Sequence, residues 1–328
     1  MSTHLHHYTS AAGLLGILSS GNLHGTHVEF LNDSSENKTT RKFLRKELIK
    51  SIGNFVRTDN RFATLSPTEV SKFVAQEVDA YLSVAASVTE QCSPIFVCSF
   101  SVFEKSVSNS EGRLSQWRSY GTDGGYCIVF DRDALTAMLM STDPESKRFA
   151  IRHHGSVDYI ASDDGEIDVP VPHESAKYFL KRKYNTYLTD GKLAEKFRNQ
   201  SVPYDVDVNS LGETSALIEL TSKYMPFVKL SYFEEEQEYR FCVAAYSQAT
   251  PLPGNQMAEK FKFKIRGQTV VPYVELFDGT QKLPVKRIIV GPHRMAAARQ
   301  KSAKILLETY GYSDVPVTMS KIPLESVW

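Results

Sequence analysis

The sequence predicts an α+β fold with a mixed, mostly antiparallel β-sheet and helical insertions. Predicted strands and helices are mixed without the regular βαβ order of a doubly wound sheet. Strands dominate the last third of the chain, where residues 261–265 alternate strictly between apolar and basic side chains. The 328 residues contain no internal repeat and no linker between two cores. We therefore predict a single domain over residues 1–328, with a helical insertion around residues 174–229.

The first ninety residues alternate between short strands and helices that have clear start and stop signals. Thr9 or Ser10 can cap the first helix, and Gly21 ends it. Ser66 and Glu69 have capping-box spacing, with proline between them at the first helical position. The predicted elements are a strand at 5–8, the helix ending at Gly21, an extended segment at 23–30, a helix behind Asn32-Asp33-Ser34, and a long helix behind residue 66.

From residue 95 onward the pattern favours buried strands, and a loop-rich stretch covers residues 141–172. Asp131 or Asp133 can cap the helix that ends at Met140. The predicted strands are residues 95–101, 126–130, 157–160, 239–246, 261–265, 270–276, 285–290 and 315–319, and the predicted helices are 114–120, 131–140, 174–199, 213–229 and 295–310.

Composition and motif content exclude several classes of function. Basic and acidic residues balance at 38 each, so no global charge recruits nucleic acid or an anionic membrane. The four cysteines are far apart and predict neither a disulfide framework nor a zinc ribbon. P-loop and HExxH patterns are absent. Terminal His4, His6 and His7, and His153-His154 in a predicted loop, lack nearby partners, so no metal is expected.

The chain shows no signal of secretion or of membrane insertion. Its first residues have no basic region followed by an apolar run, as a secretion signal would have. No apolar stretch approaches the roughly 20 residues that a bilayer-spanning helix needs. We therefore expect a cytoplasmic protein without a membrane partner.

The acidic run that ends at Glu238 is the first candidate site. It places four carboxylates in five positions, directly before the apolar strand pattern at 239–246. Ionised groups beside a core raise one another's pKa and cost desolvation free energy, which often marks a functional site. Glu236 and Glu238 are the candidates. The alternative is a solvated strand entrance in which Glu238 pairs with Arg240.

Two further motifs place polar groups on predicted strands. In His7-Tyr8-Thr9, a histidine beside hydroxyl groups can bind sugar hydroxyls, although the same residues could form an exposed helix cap. Ser99 and Ser101 lie on one face of an apolar strand, where buried hydroxyls need hydrogen-bond partners. A ligand could supply those partners, and so could neighbouring backbone.

A third motif is the aromatic–basic segment of residues 116–121. Arg118 flanked by Trp117 and Tyr120 is typical of a site that grips phosphate while a ring stacks on a base. An anchoring tryptophan beside a structural arginine would have the same sequence. If the segment is a phosphate-binding site, it predicts a non-catalytic sensor that binds a nucleotide or nucleic acid through Trp117, Arg118 and Tyr120.

Taken together, the motifs resemble those of an uncharacterised bacterial family known only as a domain of unknown function. The resemblance covers nearly the whole chain but supplies no activity. It runs through His7-Tyr8-Thr9, Leu31-Asn32-Asp33 with Glu36, Cys98-Ser99-Phe100, residues 116–121, residues 127–131, Glu236 with residues 238–240, residues 271–274, residues 288–292 and residues 320–323.

The layout also resembles, more remotely, the ADP-ribosyltransferase superfamily and especially its branch that modifies nucleic acids. That resemblance implies a split β-sheet core, NAD as a substrate without a metal, and a nucleic acid or protein as acceptor. It assigns His7 with Thr9 to the NAD ribose, Ser99 and Ser101 to the nicotinamide pocket, Tyr8 or Tyr120 to stacking, Glu236 to the acceptor and Glu238 to catalysis. Bacterial families of this kind suggest a context in phage defence or as a toxin.

Overall fold

The computed structural model describes residues 4–31, 36–103, 111–141, 148–161, 222–246 and 261–322. The predicted cap at Asn32-Asp33-Ser34 and most of the insertion predicted at 174–229 lie outside these residues. The single-domain organisation and the insertion therefore stay predictions.

The described residues form strands and helices in nearly the order that the sequence predicts. The strands are β1 His4–Thr9, β2 His24–His27, β3 Ile95–Ser101, β4 Tyr126–Asp131, β5 Phe149–Ser156, β6 Asp158–Ile160, β7 Val228–Leu230, β8 Glu238–Ala245, β9 Lys262–Arg266, β10 Thr269–Glu275, β11 Val285–Val290 and β12 Val317–Met319. The helices are α1 Ala11–Ser20, α2 Glu36–Thr58, α3 Pro67–Cys92, α4 Leu114–Tyr120, α5 Arg132–Met140 and α6 Ala296–Thr309.

Local capping signals set the predicted helix ends. Ser10 accepts a hydrogen bond from the Gly13 amide, and Gly21 ends α1 in the left-handed conformation that glycine adopts without steric cost. The capping box of Ser66 and Glu69 is complete at the start of α3. Asp131 caps α5 by accepting from the Ala134 amide. These predictions are confirmed.

Ten of the described strands form one mixed sheet that is mostly antiparallel, which confirms the predicted α+β class. The order β12-β11-β4-β1-β3 continues on one side of β3 through β2, β10 and β9, and β8 and β5 follow on its other side. β11 and β12 are parallel. The other pairings within this sheet are antiparallel.

The sheet opens beside β3, because β1 and β2 share one side of that strand. β8 occupies the other side along the whole length of β3. β1 pairs with β3 near one end of β3, where His6 is opposite Ser101. β2 pairs with β3 near the other end, where Thr26 is opposite Val97. Beyond His6, β1 stays with β4 and leaves β3. The gap between β1 and the middle of β3 is therefore a natural place for a cavity.

Helices cover both faces of the sheet and fix the core. Apolar residues of α1, α5 and α6 pack with the sheet in the largest buried cluster. On the opposite face, Trp117 of α4 packs with Tyr8, Cys127 and Ile289. α2 and α3 pack against each other in a separate cluster that reaches Ala244 of β8. The walls around the gap are thus held by apolar packing.

Three predictions of local structure are wrong. The stretch predicted as loop-rich contains β5, and His153-His154 lie on that strand. β5 pairs with β8 on one side, so backbone pairing forms it without a continuous apolar pattern. Val28–Phe30 is a 3₁₀ helix, although residues 23–30 were predicted to be extended throughout. The helix predicted to end at residue 229 gives way to β7, which pairs with β6.

Candidate functional site

A cavity of about 570 Å³ lies at the opening beside β3. Its volume is within the range of small-ligand pockets. The predicted site residues that line it are His7, Tyr8, Thr9, Ser99, Ser101, Tyr120, Glu236 and Glu238. Trp117 and Arg118 are not among its lining residues. The cavity therefore brings together side chains from segments more than two hundred residues apart.

Strand register sets the polar residues of the cavity side by side. Ser101 of β3 is opposite His6 of β1 and also opposite Glu238 of β8. Ser99 is opposite Arg240 two residues further along the same pair of strands. Because directly opposed residues in antiparallel strands face the same way, these five side chains share one face of the sheet.

Glu238 is the centre of a buried charge cluster. Arg240 donates from Nε to Oε1 at 2.8 Å and from Nη2 to Oε2 at 2.8 Å. Lys229 Nζ lies 3.2 Å from Glu238 Oε2 and 2.7 Å from Glu236 Oε2. The ion pair between Glu238 and Arg240, which the sequence offered as an alternative to a functional site, is therefore present. It is buried rather than solvated, since Glu238 is 7 % exposed and Arg240 is 1 % exposed.

The cluster keeps Glu238 ionised. Burial alone would raise its pKa, but the charge and hydrogen bonds of Arg240, followed by Lys229, lower the pKa to about 2. At neutral pH the carboxylate can accept hydrogen bonds and stabilise positive charge. It cannot serve as a proton donor there.

Gln237 separates the two cavity glutamates and has a left-handed backbone, with φ of 40°. It follows the 3₁₀ helix Ser231–Glu236, and its amide donates to the Glu234 carbonyl at 3.0 Å. Its own carbonyl accepts from the Val102 amide at 2.8 Å, and its Oε1 accepts from Arg113 at 2.7 Å. These three bonds hold a conformation that a side-chain-bearing residue adopts at a cost, and so fix where both glutamates enter the cavity.

His7 joins the two strands across the opening. Its Nδ1 lies 3.1 Å from the carbonyl oxygen of Ser99. A carbonyl can only accept, so Nδ1 carries the proton and Nε2 remains an acceptor in the neutral ring. Burial, and secondarily the charge of Lys264, lower the pKa of His7 against the effect of the Ser99 bond. The ring can thus accept a hydrogen bond from a ligand hydroxyl.

His6 is a cavity residue that the sequence analysis considered only as a metal ligand. It is 3 % exposed, and neither ring nitrogen has a hydrogen-bond partner among the residues that the structure describes. Burial, and next the charge of Arg287, lower its pKa to about 3, so the ring is neutral at physiological pH. The Ser101 carbonyl opposes this shift without meeting the geometry of a hydrogen bond. Buried imidazoles are rarely left unsatisfied, which makes His6 a candidate ligand contact.

The aromatic–basic segment does not form one joint site. Tyr120 lines the cavity, whereas Trp117 is 1 % exposed and donates from Nε1 to the Glu111 carbonyl at 3.0 Å. Arg118 is exposed and does not line the cavity. Tyr8 packs edge-on against Trp117 at 4.8 Å between ring centroids and accepts from the Arg113 amide at 2.8 Å. Trp117 therefore serves the core that holds Tyr8 in place.

The cavity has an excess of basic side chains. Among the residues lining it, Lys229, Arg240, Lys264 and Arg266 oppose the two carboxylates of Glu236 and Glu238. Three of these bases were not predicted from the sequence, and Arg240 was considered only as a partner of Glu238. The four bases lie on β7, β8 and β9, which are far enough apart in the chain that no local motif indicates them.

The structure also bears on metal binding and on membrane insertion. The described part of the chain holds no cluster of three or more His, Cys, Asp or Glu side chains able to bind a metal ion. Within the same residues, every helix is too short or too polar to cross a lipid bilayer.

Comparison with known proteins gives one match. Residues 116–241 match a family model described as "Protein of unknown function (DUF2971)". The matched range runs from the start of the α4 motif to β8 and includes Glu236 and Glu238. Searches of curated proteins and of solved structures gave no match. The match supports an uncharacterised domain family and carries no activity.

Proposed function

We propose that this protein is an NAD-consuming enzyme of the ADP-ribosyltransferase type that modifies a nucleic acid or a protein acceptor. The observation that carries the proposal is the shared cavity. Eight of the ten candidate site residues named from the sequence, including every one that the transferase resemblance assigns to NAD, line one cavity of about 570 Å³. The cytoplasmic location and the role in phage defence or as a toxin stay predictions.

The proposed reaction breaks the bond between nicotinamide and ribose. The bond electrons leave with the neutral nicotinamide, and positive charge develops on the ribose in an oxocarbenium-like transition state. An ionised carboxylate beside this charge stabilises it. The low pKa of Glu238 suits that role, because the carboxylate needs no deprotonation step at neutral pH.

The remaining residues have positioning roles in this scheme. The neutral ring of His7 has Nε2 available for a ribose hydroxyl, because Nδ1 is bonded to Ser99. Tyr120 and Tyr8 border the cavity as stacking surfaces. Glu236, whose side chain is 20 % exposed, is the more accessible carboxylate and can orient the acceptor.

One observation favours a second candidate function, a non-catalytic module that binds a nucleotide or nucleic acid. Glu238 is bonded twice to Arg240, and Lys229 links it to Glu236. A carboxylate so fully neutralised has a weaker field at the ribose. In this alternative the cluster shapes the cavity wall, and the ligand is bound without turnover.

NAD turnover by the purified protein tests the proposal, with nucleic acid and bacterial lysate supplied as acceptors. We expect wild-type protein to release nicotinamide and Glu238→Gln to lose at least about 100-fold in rate, as is typical when one transition-state contact is removed. Glu235→Gln is the matched control, because Glu235 belongs to the same acidic run but is exposed and outside the cavity.

The folded state of each variant has to be compared, because Glu238→Gln leaves the buried Arg240 without its carboxylate, although Lys229 keeps its ion pair with Glu236. Glu236→Gln provides a milder variant of the same cavity. Turnover that survives in folded Glu238→Gln would refute the catalytic role. Absence of turnover in folded wild-type protein, with nucleotide binding intact, would favour the binding module.

A further inference from the structure

Two lysines of β9 have different surroundings although they lie on the same face of one strand. Lys262 is 51 % exposed and pairs with Glu275 Oε2 at 2.7 Å. Lys264 is part-buried, lines the cavity and donates from Nζ to Thr26 Oγ1 at 2.9 Å. Among the described residues, no carboxylate lies within ion-pair distance of Lys264. In the part of the chain that the structure describes, this ammonium group of the cavity therefore has no acidic partner.

Such a group calls for an anion. Lysines that are withdrawn from water are nearly always paired, because desolvating an ammonium group costs free energy. The hydroxyl of Thr26 is a neutral acceptor and engages one of the three donors of Lys264. The ammonium group also lies over the Tyr273 ring at 5.7 Å from its centroid, a neutral contact that leaves the positive charge unmatched, and Lys264 lines a cavity large enough for a ligand. The charge of Lys264 also reaches His7 and Cys98, on the two strands that border the opening.

A second cation lies beside the first. Arg266, which also lines the cavity, is two residues further along β9 and on the same face of the strand. Side chains at this spacing start about 7 Å apart, so they can contact neighbouring phosphates of one ligand. Arg266 also donates to the Phe30 carbonyl, which orients its guanidinium at the cavity wall.

We propose that Lys264 and Arg266 form an anion subsite for the diphosphate of a nucleoside diphosphate-bearing ligand. The subsite lies on the wall made by β2 and β9, whereas the carboxylates Glu236 and Glu238 lie on the wall made by the 3₁₀ helix and β8. Such a ligand would place its phosphates toward β9 and the sugar and ring that they carry toward β8. The inference shares its cavity with the proposed function but requires binding only, without turnover.

The test is calorimetric titration of the full-length protein with ADP and, separately, with adenosine. We expect ADP to bind more tightly than adenosine to the wild-type protein. Lys264→Gln should weaken ADP binding about tenfold, the effect of one charge-assisted hydrogen bond, and leave adenosine binding unchanged. Lys262→Gln is the matched control, with the same chemistry on the same strand outside the cavity, and it should bind ADP as the wild-type protein does.

Several outcomes would overturn the subsite. These are no ADP binding by folded wild-type protein, equal affinity in Lys264→Gln, or an equal loss in Lys262→Gln. Lys264→Arg keeps the positive charge and should retain most of the affinity for ADP. This variant distinguishes the loss of charge from a defect in folding. Binding of single-stranded DNA that requires Lys264, with ADP binding that does not, would assign this lysine to nucleic-acid binding and refute the diphosphate subsite.

The two proposals fail in different ways. ADP binding that depends on Lys264, without NAD turnover, supports the subsite and counts against the transferase. NAD turnover with an unchanged KM in Lys264→Gln supports the transferase and counts against the subsite.

Discussion

The two walls of the cavity handle charge in opposite ways. On the wall of β8 and its preceding 3₁₀ helix, Glu236 and Glu238 are matched by Lys229 and Arg240 at 2.7–3.2 Å. On the wall of β2 and β9, Lys264 meets a hydroxyl. Removing the Glu238 charge from the first wall leaves the buried Arg240 without a carboxylate, whereas removing Lys264 leaves no described carboxylate without its partner. The charges of the first wall thus stabilise the fold as well as forming the site, whereas the Lys264 charge of the second wall can bind a ligand.

The first prediction, which has the greatest magnitude, concerns the wall of β8, where each carboxylate is paired with a basic side chain. Glu238→Gln should lower the free energy of unfolding by about 3–5 kcal/mol, because Arg240 stays buried without its carboxylate. Lys264→Gln should change it by less than about 1 kcal/mol. Denaturant unfolding of both variants measures the contrast. The double variant Glu238→Gln with Arg240→Gln should recover part of the loss. Equal destabilisation by Glu238→Gln and Lys264→Gln would contradict the comparison.

A second prediction concerns His6, which lies between the two walls. Its pKa falls from 6.5 in the unfolded chain to about 3 in the fold, so the unfolded state binds more protons between these pH values. Stability should therefore fall as pH drops from 6.5 toward 3. His6→Gln should reduce that pH dependence.

The window from pH 6.5 to 5 isolates the histidines, because Glu238 contributes only as pH falls from 4.5 toward its folded pKa of about 2. Other histidines whose pKa the fold lowers, including His7 and His24, keep part of the slope in the variant. The unfolding free energies of His6→Gln and wild-type protein at pH 6.5 and 5 give the comparison. Parallel pH curves would show that His6 titrates alike in both states.

The third prediction, which has the least magnitude, concerns the backbone of Gln237 on the wall of β8. Gln237→Ala and Gln237→Gly both lose the bond to Arg113, but only glycine adopts the left-handed backbone without cost. Gln237→Gly should therefore be more stable than Gln237→Ala by about 1 kcal/mol. Thermal unfolding measures the difference. A more stable alanine variant would mean that the segment leaves this conformation when the Arg113 bond is lost.

Local patterns were sufficient for most elements and for part of the site. Ser10, Ser66 and Asp131 cap the helices that the sequence assigns to them. β5 was missed because pairing with β8 stabilises it, and pairing between distant segments leaves little trace in local sequence. Glu238 was found because an acidic run before an apolar strand is a local anomaly. Lys264 was missed because a basic residue on an alternating strand is the normal pattern of a solvated face.

Sequence patterns were enough to predict the α+β class, the helix ends and the chemical types of the site residues. Capping, periodicity and hydrophobic pattern depend on residues that are close together in the chain. Which of these side chains contact one another could be seen only in the folded sheet. The pairing of His6, Ser101 and Glu238, the burial of Lys229 and Arg240, and the surplus charge of Lys264 depend on strand order and register. These are set by contacts between residues far apart in the chain, whose free energy belongs to the assembled sheet.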